Sequence, residues 1–481
     1  MNGFTIEIAI LAIPLVTAGL LAVLPGYKLT ARLNVAAALA TFVAALLLFV
    51  VPRPDPGRYL LIDDLNIVFV VLTTFVAFTT SVFSASYIAY ELETGRLTPA
   101  YLRFYHAMYQ LLMFGMNLAL IANNIGVMWV AIELSTLTTV LMVGIYRSHE
   151  ALEAAWKYFI LGSVGIALAL FGTILVYLTA RPVIGEGPDA MVWTELVANA
   201  SQFDPALLNL AFVFLLLGYG TKVGLAPLHA WLPDAHAEGP TPISAVLSGL
   251  LLNVALYAVL RFKLVLAAAN GALAPGPLLV VMGLGSLVFA AFMLYRRRDI
   301  KRFFAYSSIE HMGIIAFAFG MGGPLANFAG LYHMVMHSLT KSGIFFAVGH
   351  VEQVKGTQKI ADIQGLTASH PVLGWSLVLG VIAIAGLPPL GIFMSEFLVV
   401  SSTFARSPWL AIVFVAGLLI AFAALMLRLQ GLAFGEPTGS TQPVKASYVP
   451  MFVHFGLVLT AGFYMPPSVV AWFEHIARLL G

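Results

Sequence analysis

The chain has 481 residues, 60% of them hydrophobic and only 10% charged, with a formal net charge of +2. That balance belongs to polytopic membrane proteins, and basic residues scattered over loops argue against a nucleic-acid partner. Cysteine is absent, which excludes disulfides, thiolate metal sites, iron–sulfur clusters and thiol nucleophiles from this chain.

A spanning helix takes about 20 mostly apolar residues. On that ruler the sequence predicts an all-α polytopic membrane protein of about 14 transmembrane helices. The spans fall roughly at 4–24, 31–51, 65–90, 107–122, 126–146, 156–179, 207–229, 241–262, 276–295, 303–320, 325–351, 372–403, 408–430 and 449–471. The first has no basic start, with Glu7 its only early charge, and reads as a retained helix rather than a cleaved leader. Loops are short, and the longest, Arg181 to Pro205, has room for one short surface helix. Loops after odd-numbered spans hold 15 Lys and Arg residues against 7 on the other side. The positive-inside rule therefore expects the first set to be cytoplasmic, with both termini on the outer face of an inner (plasma) membrane. The run Tyr295–Arg302 (YRRRDIKR) is the strongest anchor.

Two spans are interrupted at related places. The seventh carries Lys222 and then Pro227; the twelfth carries Gly386, Pro388, Pro389 and Gly391, and then Glu396. Proline removes a backbone donor and clashes with the preceding turn, so helices 7 and 12 should break. Broken helices in corresponding positions point to inverted repeats with ion sites at the bilayer midplane. The expected organisation is N-terminal helices 1–3 (1–106), a first five-helix repeat of helices 4–8 (107–262), a second inverted repeat of helices 9–13 (263–431) and a C-terminal helix (432–481).

Glu133, Lys222, Lys341 and Glu396 stand alone inside apolar stretches. A charge at the bilayer centre costs from about 2.5 to more than 10 kcal/mol, so such groups face the bundle interior, pair, or line a wet path. Glu133 and Lys222 are expected to pair across helices 5 and 7, either as a switchable proton site or as a fixed salt bridge. His333, His337 and Lys341 follow a spacing of four, which puts them on one helix face over about 12 Å. Imidazoles donate and accept at two nitrogens, which suits proton hopping. A metal on the two histidines is opposed by the lysine on the same face. Glu396, beyond the second break, is expected to exchange ions with one aqueous side. Glu310, His311 and, after the first break, His229 are further relay candidates. Lys157, at a span start, reads equally as relay or interfacial anchor. His229, Asp234, His236 and Glu238 after the first break suit a loop cap better than a metal site.

Together AIELSTLTT, KVGLAPLHAWLPDAHAEGPTPISAVLSG, DIKRFFAYSSIEHMG, HMVMHSLTKSGIFFAVGH and GLPPLGIFMSEF resemble the antiporter-like subunits of respiratory complex I, membrane-bound group 4 NiFe hydrogenases and Mrp-type antiporters. The resemblance covers roughly residues 60–435 and is nearest the hydrogenase-4 component F branch. It implies that Glu133 is the fifth-helix glutamate and Lys222 the lysine of the broken seventh helix. It likewise implies that His333, His337 and Lys341 form the central polar axis and that Glu396 is the terminal ionisable residue. Where some relatives carry a lysine in the eighth helix this chain has Asn253, with Ser248 the other polar option, so the link there runs through water or is weaker.

The expected function is a proton-translocating, antiporter-like membrane subunit of a multisubunit oxidoreductase, of hydrogenase-4 or formate hydrogenlyase type. It has no active site, cofactor or metal of its own. Iron–sulfur, NiFe or flavin centres are expected on partner subunits, alongside other small and antiporter-like membrane subunits and lipids. Histidine and lysine carry protons readily and offer no oxygen cage for Na⁺. The alternatives are the equivalent subunit of an NADH:quinone oxidoreductase, an Mrp-type Na⁺/H⁺ antiporter subunit, and a scaffold whose charges are fixed pairs.

Overall fold

The computed structural model describes residues 5–439 and 442–481. Among them regular structure is helical, apart from three isolated bridges such as Asp299 with Lys359. Among the described residues, ten helices are long and apolar enough to cross a membrane, or up to eleven if the bent pair near the C-terminus counts as one. Each of the 14 segments expected from hydropathy contains helix. Pro99–Ile121 and Gly323–Lys355 have the length but fall outside the apolar set; the first carries Arg103, His106, Gln110 and Asn117, and the second the polar residues discussed below.

Capping explains several helix starts. Asn124 accepts from the backbone N–H groups of Gly126 and Val127, Ser148 from Ala151 and Asp299 from Arg302. Each such cap satisfies an otherwise orphaned donor and contributes about 1 kcal/mol.

Helices 7 and 12 break as expected, the seventh a few residues earlier than its proline, and only the last segment departs from expectation. The seventh helix stops at Val223, before Pro227, because Gly224 takes a φ of +78° that ends the helical turn without steric cost. The amide of Ala226 in the following turn is held at 2.9 Å by the Ser286 hydroxyl, so that break leaves this donor paired. The twelfth segment is two helices, Pro371–Ile384 and Gly391–Arg406, with the break at 385–390. The last, expected as one span over 449–471, is Val449–Phe463 and Pro467–Leu479, bent by 83°. Consecutive prolines, Pro466 and Pro467, stop the first helix and start the second.

The chain divides into two compact units. One comprises Met1–Ser81, Thr94–Val223 and Leu251–Pro275; the other comprises Val82–Glu93, Gly224–Leu250 and Gly276–Gly481. In the first unit, helices His149–Ile184 and Pro205–Val223 approach through glycine. A methyl group on Gly218 would collide with the Ala169 backbone nitrogen and stand 2.6 Å from the Gly165 carbonyl oxygen. In the second, Gly276–Leu294 and Ile300–Met321 use the same device: a methyl on Gly313 would lie 2.6 Å from the Gly283 carbonyl oxygen. Close backbone approach substitutes for the hydrophobic drive that lipid does not supply. The core of the second unit includes Leu287, Ile314, Phe317, Val399 and Phe414, all fully buried.

Candidate functional site

In the first unit, the crossing of helices Ile125–Val143, His149–Ile184 and Pro205–Val223 holds one buried lysine. Lys222 is 1% exposed, and its Nζ donates to the Thr136 hydroxyl at 2.6 Å. It stands 3.9 Å from the Glu133 carboxylate, which is 19% exposed, and 5.7 Å from the centre of the Tyr158 ring. Tyr158 is itself fixed by a 2.8 Å bond to Thr139. Glu133, Thr136 and Thr139 therefore fall on one side of one helix, as their three-residue spacing requires. Gly162 makes room: a methyl there would come within 2.8 Å of the lysine nitrogen. The expected Glu133–Lys222 pair is present, with Thr136 and Gly162 as unforeseen partners. Thr136 lay in plain view in AIELSTLTT, but a threonine in an apolar helix ordinarily bonds its own backbone, as Thr136 also does toward Ile132.

Lys157 stands apart from this pair. It is exposed and bonded to Glu153 at 2.7 Å one turn away. Asn253 is buried in the helix Leu252–Ala267. That helix continues from Thr241–Val246 through a π-turn at Leu247–Leu251, a local widening of the kind that accompanies functional positions.

The second unit gathers more groups. His333, His337 and Lys341 lie on the 33-residue helix Gly323–Lys355, all fully buried. Between the two histidines reaches His311, from helix Ile300–Met321. Its Nδ1 lies 2.9 Å from His333 Nε2, and its ring stacks on His337 at 5.7 Å between centres. The Ser395 hydroxyl donates to the Ile392 carbonyl at 2.7 Å and lies 2.9 Å from His333 Nδ1. Its one proton being used, Ser395 accepts from His333 Nδ1–H, leaving His333 Nε2 as the acceptor toward His311. Both ring nitrogens of His337 lack a hydrogen-bond partner among the described residues.

Lys341 donates to the Phe304 carbonyl at 2.9 Å. The same carbonyl accepts from Ser308, whose hydroxyl meets Ser248 at 2.7 Å. Glu310, 3% exposed, is the carboxylate that acts electrostatically on Lys341. Glu310 and Glu396 line one cavity of about 290 Å³ with Ile384, Ala385, Gly386 and Leu387 at the helix break. Gly386, at φ +67°, is packed against the Glu396 carboxylate so closely that a methyl group there would collide with it.

The residues after the first break behave as a cap. Arg302 binds Asp234 at 3.1 Å and Glu238 at 2.9 Å. Burial lifts the Glu238 carboxyl above its ordinary range, against the pull of Arg302. His236 stacks on Phe345, and His229 packs on Phe289. Ser308, Ser395 and the Phe304 carbonyl were not foreseen, and Gly386 was expected only as part of the break, not against Glu396. Serine and glycine are common in helices, and a backbone carbonyl has no sequence signature.

Residues 122–421, which contain every group named in the two clusters, match the family described as NADH:quinone oxidoreductase/Mrp antiporter, transmembrane. The hydrogenase-4 component F homolog of Methylacidiphilum infernorum is 63% identical over 98% of this chain and 99% of its own length. Among solved structures, a chain of the membrane-bound sulfane sulfur reductase, an archaeal respiratory membrane complex, superposes with a TM-score of 0.88 at 24% identity, covering 98% of both chains. A chain of respiratory complex I from Thermus thermophilus does so with a TM-score of 0.81 at 24% identity, covering 99% of this chain and 100% of that one.

Proposed function

The chain belongs to the NADH:quinone oxidoreductase/Mrp antiporter transmembrane family, and from that membership we propose that it is a proton-translocating subunit of a hydrogenase-4-type membrane oxidoreductase. The 63% identity to a protein named as a hydrogenase-4 component F homolog supports that redox partner; relatives named as subunits of NADH-quinone oxidoreductase are about 28% identical. The chain carries no redox centre in this reading; iron–sulfur, NiFe or flavin groups sit on peripheral subunits. Two inverted repeats, spans 4–8 and 9–13, frame the path, and both termini face outward.

The observation that carries the proposal is a fully buried lysine in each unit, each held by a hydrogen bond that opens when the lysine gives up its proton and re-forms when it regains one: Lys222 on Thr136 and Lys341 on the Phe304 carbonyl. A redox event in a partner changes the charge felt by Glu133, the lysine beside it gains or loses its hold on a proton, and the disturbance passes to Lys341. His337, His311 and His333 hand the proton on by alternating which nitrogen carries hydrogen, and Glu396 releases it. Ser248 and Asn253, on the helix through which the chain passes from one unit to the other, do not titrate and serve through hydrogen bonds. His333 is the group most constrained in this scheme, since its Nδ1 proton is held by Ser395 and must return there after each transfer.

The test uses proteoliposomes holding the intact parent complex. Glu396→Gln and Gly386→Ala should leave electron transfer running while the proton-to-electron ratio falls. Normal pumping by both assembled variants would contradict the proposal.

A further inference from the structure

One ring nitrogen each from His311 and His333 and a carboxylate oxygen of Glu396 all lie within 4.8 Å of one another. They come from three separate helices: Ile300–Met321, Gly323–Lys355 and Gly391–Arg406. We propose that these three groups, completed by Glu310, form a binding site for one divalent transition-metal ion of the zinc class, and that an ion there, by holding both imidazoles, blocks the proton relay described above.

Ligand atoms about 2.1 Å from one tetrahedral ion lie about 3.4 Å from each other. The gap to close is therefore at most about 1.4 Å, within reach of a rotamer change in the Glu396 side chain, which is partly exposed at the cavity. Ser395 plays the orienting part that metal-bound histidines require: it fixes the Nδ1 proton of His333 and leaves Nε2 free to coordinate. His311 Nδ1 becomes a ligand when its ring proton moves to the other nitrogen, which exchanges the imidazole–imidazole bond for two bonds to the ion.

An independent observation points to a cation. Glu310 is 3% exposed, and its Oε2 has no hydrogen-bond partner among the described residues. A buried acceptor left in that state is costly. It lines the same 290 Å³ cavity as Glu396, so two carboxylates stand beside the histidines to balance a double positive charge. Lys341, the nearby cation, is engaged by the Phe304 carbonyl and sits eight residues from His333, about 12 Å along the helix. Two imidazoles with carboxylates select Zn²⁺, Co²⁺, Ni²⁺ or Cu²⁺ over Na⁺, Mg²⁺ and Ca²⁺, which prefer all-oxygen sites. The metal site that the sequence disfavours is a two-histidine site on one helix. This one draws its second histidine from a neighbouring helix.

The test is metal binding by the purified full-length chain, stripped with chelator and titrated with Zn²⁺ and Co²⁺. One ion per chain is expected, with X-ray absorption showing two imidazole nitrogens and carboxylate oxygen, and with affinity weakened at least about tenfold in His311→Asn and in Glu396→Gln. Excess Mg²⁺ or Na⁺ should not displace it. Absence of a stoichiometric ion, a shell without imidazole, or unchanged affinity in both variants would overturn the proposal. The wild-type absorption spectrum decides alone if a variant misfolds. No redox turnover is involved, so this result stands apart from the pumping measurement.

Discussion

The two units solve the same problem, a lysine buried in an apolar bundle, in different ways. In the first, Lys222 has a side-chain hydroxyl at 2.6 Å and a carboxylate at 3.9 Å. In the second, Lys341 rests on a backbone carbonyl, and its carboxylate neighbour Glu310 belongs to a cavity instead. The first arrangement is a compact charge pair; the second is a chain of imidazoles and carboxylates with a lysine at one end. A pair can store and switch charge, whereas a chain can carry it.

The contrast is broken most directly by removing the two carboxylates. Glu133→Gln leaves a fully buried ammonium without its counter-charge and is expected to destabilise the protein by about 3 kcal/mol, toward the lower end for a broken buried pair because Thr136 remains. Glu310→Gln also removes a carboxylate that acts on Lys341 but should cost less than this, since Lys341 keeps its bond to the Phe304 carbonyl and Glu310 Oε2 has no hydrogen bond to lose. Thermal unfolding of the two variants in one detergent checks the order, and equal losses would erase the distinction between the units.

Glycine packing sharpens what the units share. Gly218→Ala and Gly313→Ala each force apart two helix backbones and should cost about 1–3 kcal/mol. Gly285→Ala, with open space around it, should leave the melting temperature unmoved or slightly raised. Ser308→Ala removes the hydroxyl linking Ser248 to the Phe304 carbonyl on which Lys341 rests and should cost about 1 kcal/mol, visible as a small shift in the same assay. The smallest effect belongs to Lys157→Ala: its exposed pair with Glu153 contributes about 0.3–0.5 kcal/mol, and pumping should be unchanged.

Much of this was legible in the sequence because membrane burial makes charge conspicuous. Glu133, Lys222 and Lys341 stood out against apolar surroundings, and the proline-rich breaks announced where the helices would stop. The partners were less visible. That His311 would insert between His333 and His337 depends on the rotation of one helix against another, and two adjacent residues, Glu310 and His311, cannot be ranked by spacing alone. The early end of the seventh helix turned on Gly224 rather than Pro227, because a positive φ stops a helix without any proline signature. The bend after Phe463 was hidden by the apolar run that continues through it.

The central claim is that the lysine in each unit takes part in one transport process. The most direct measurement is the proton-to-electron ratio of the reconstituted complex carrying Lys222→Ala, Lys341→Ala, or both. The account predicts that each single variant keeps electron transfer but lowers the ratio to the same floor, and that the double variant falls no further. Wild-type ratios in assembled single variants, or losses that add in the double, would contradict it.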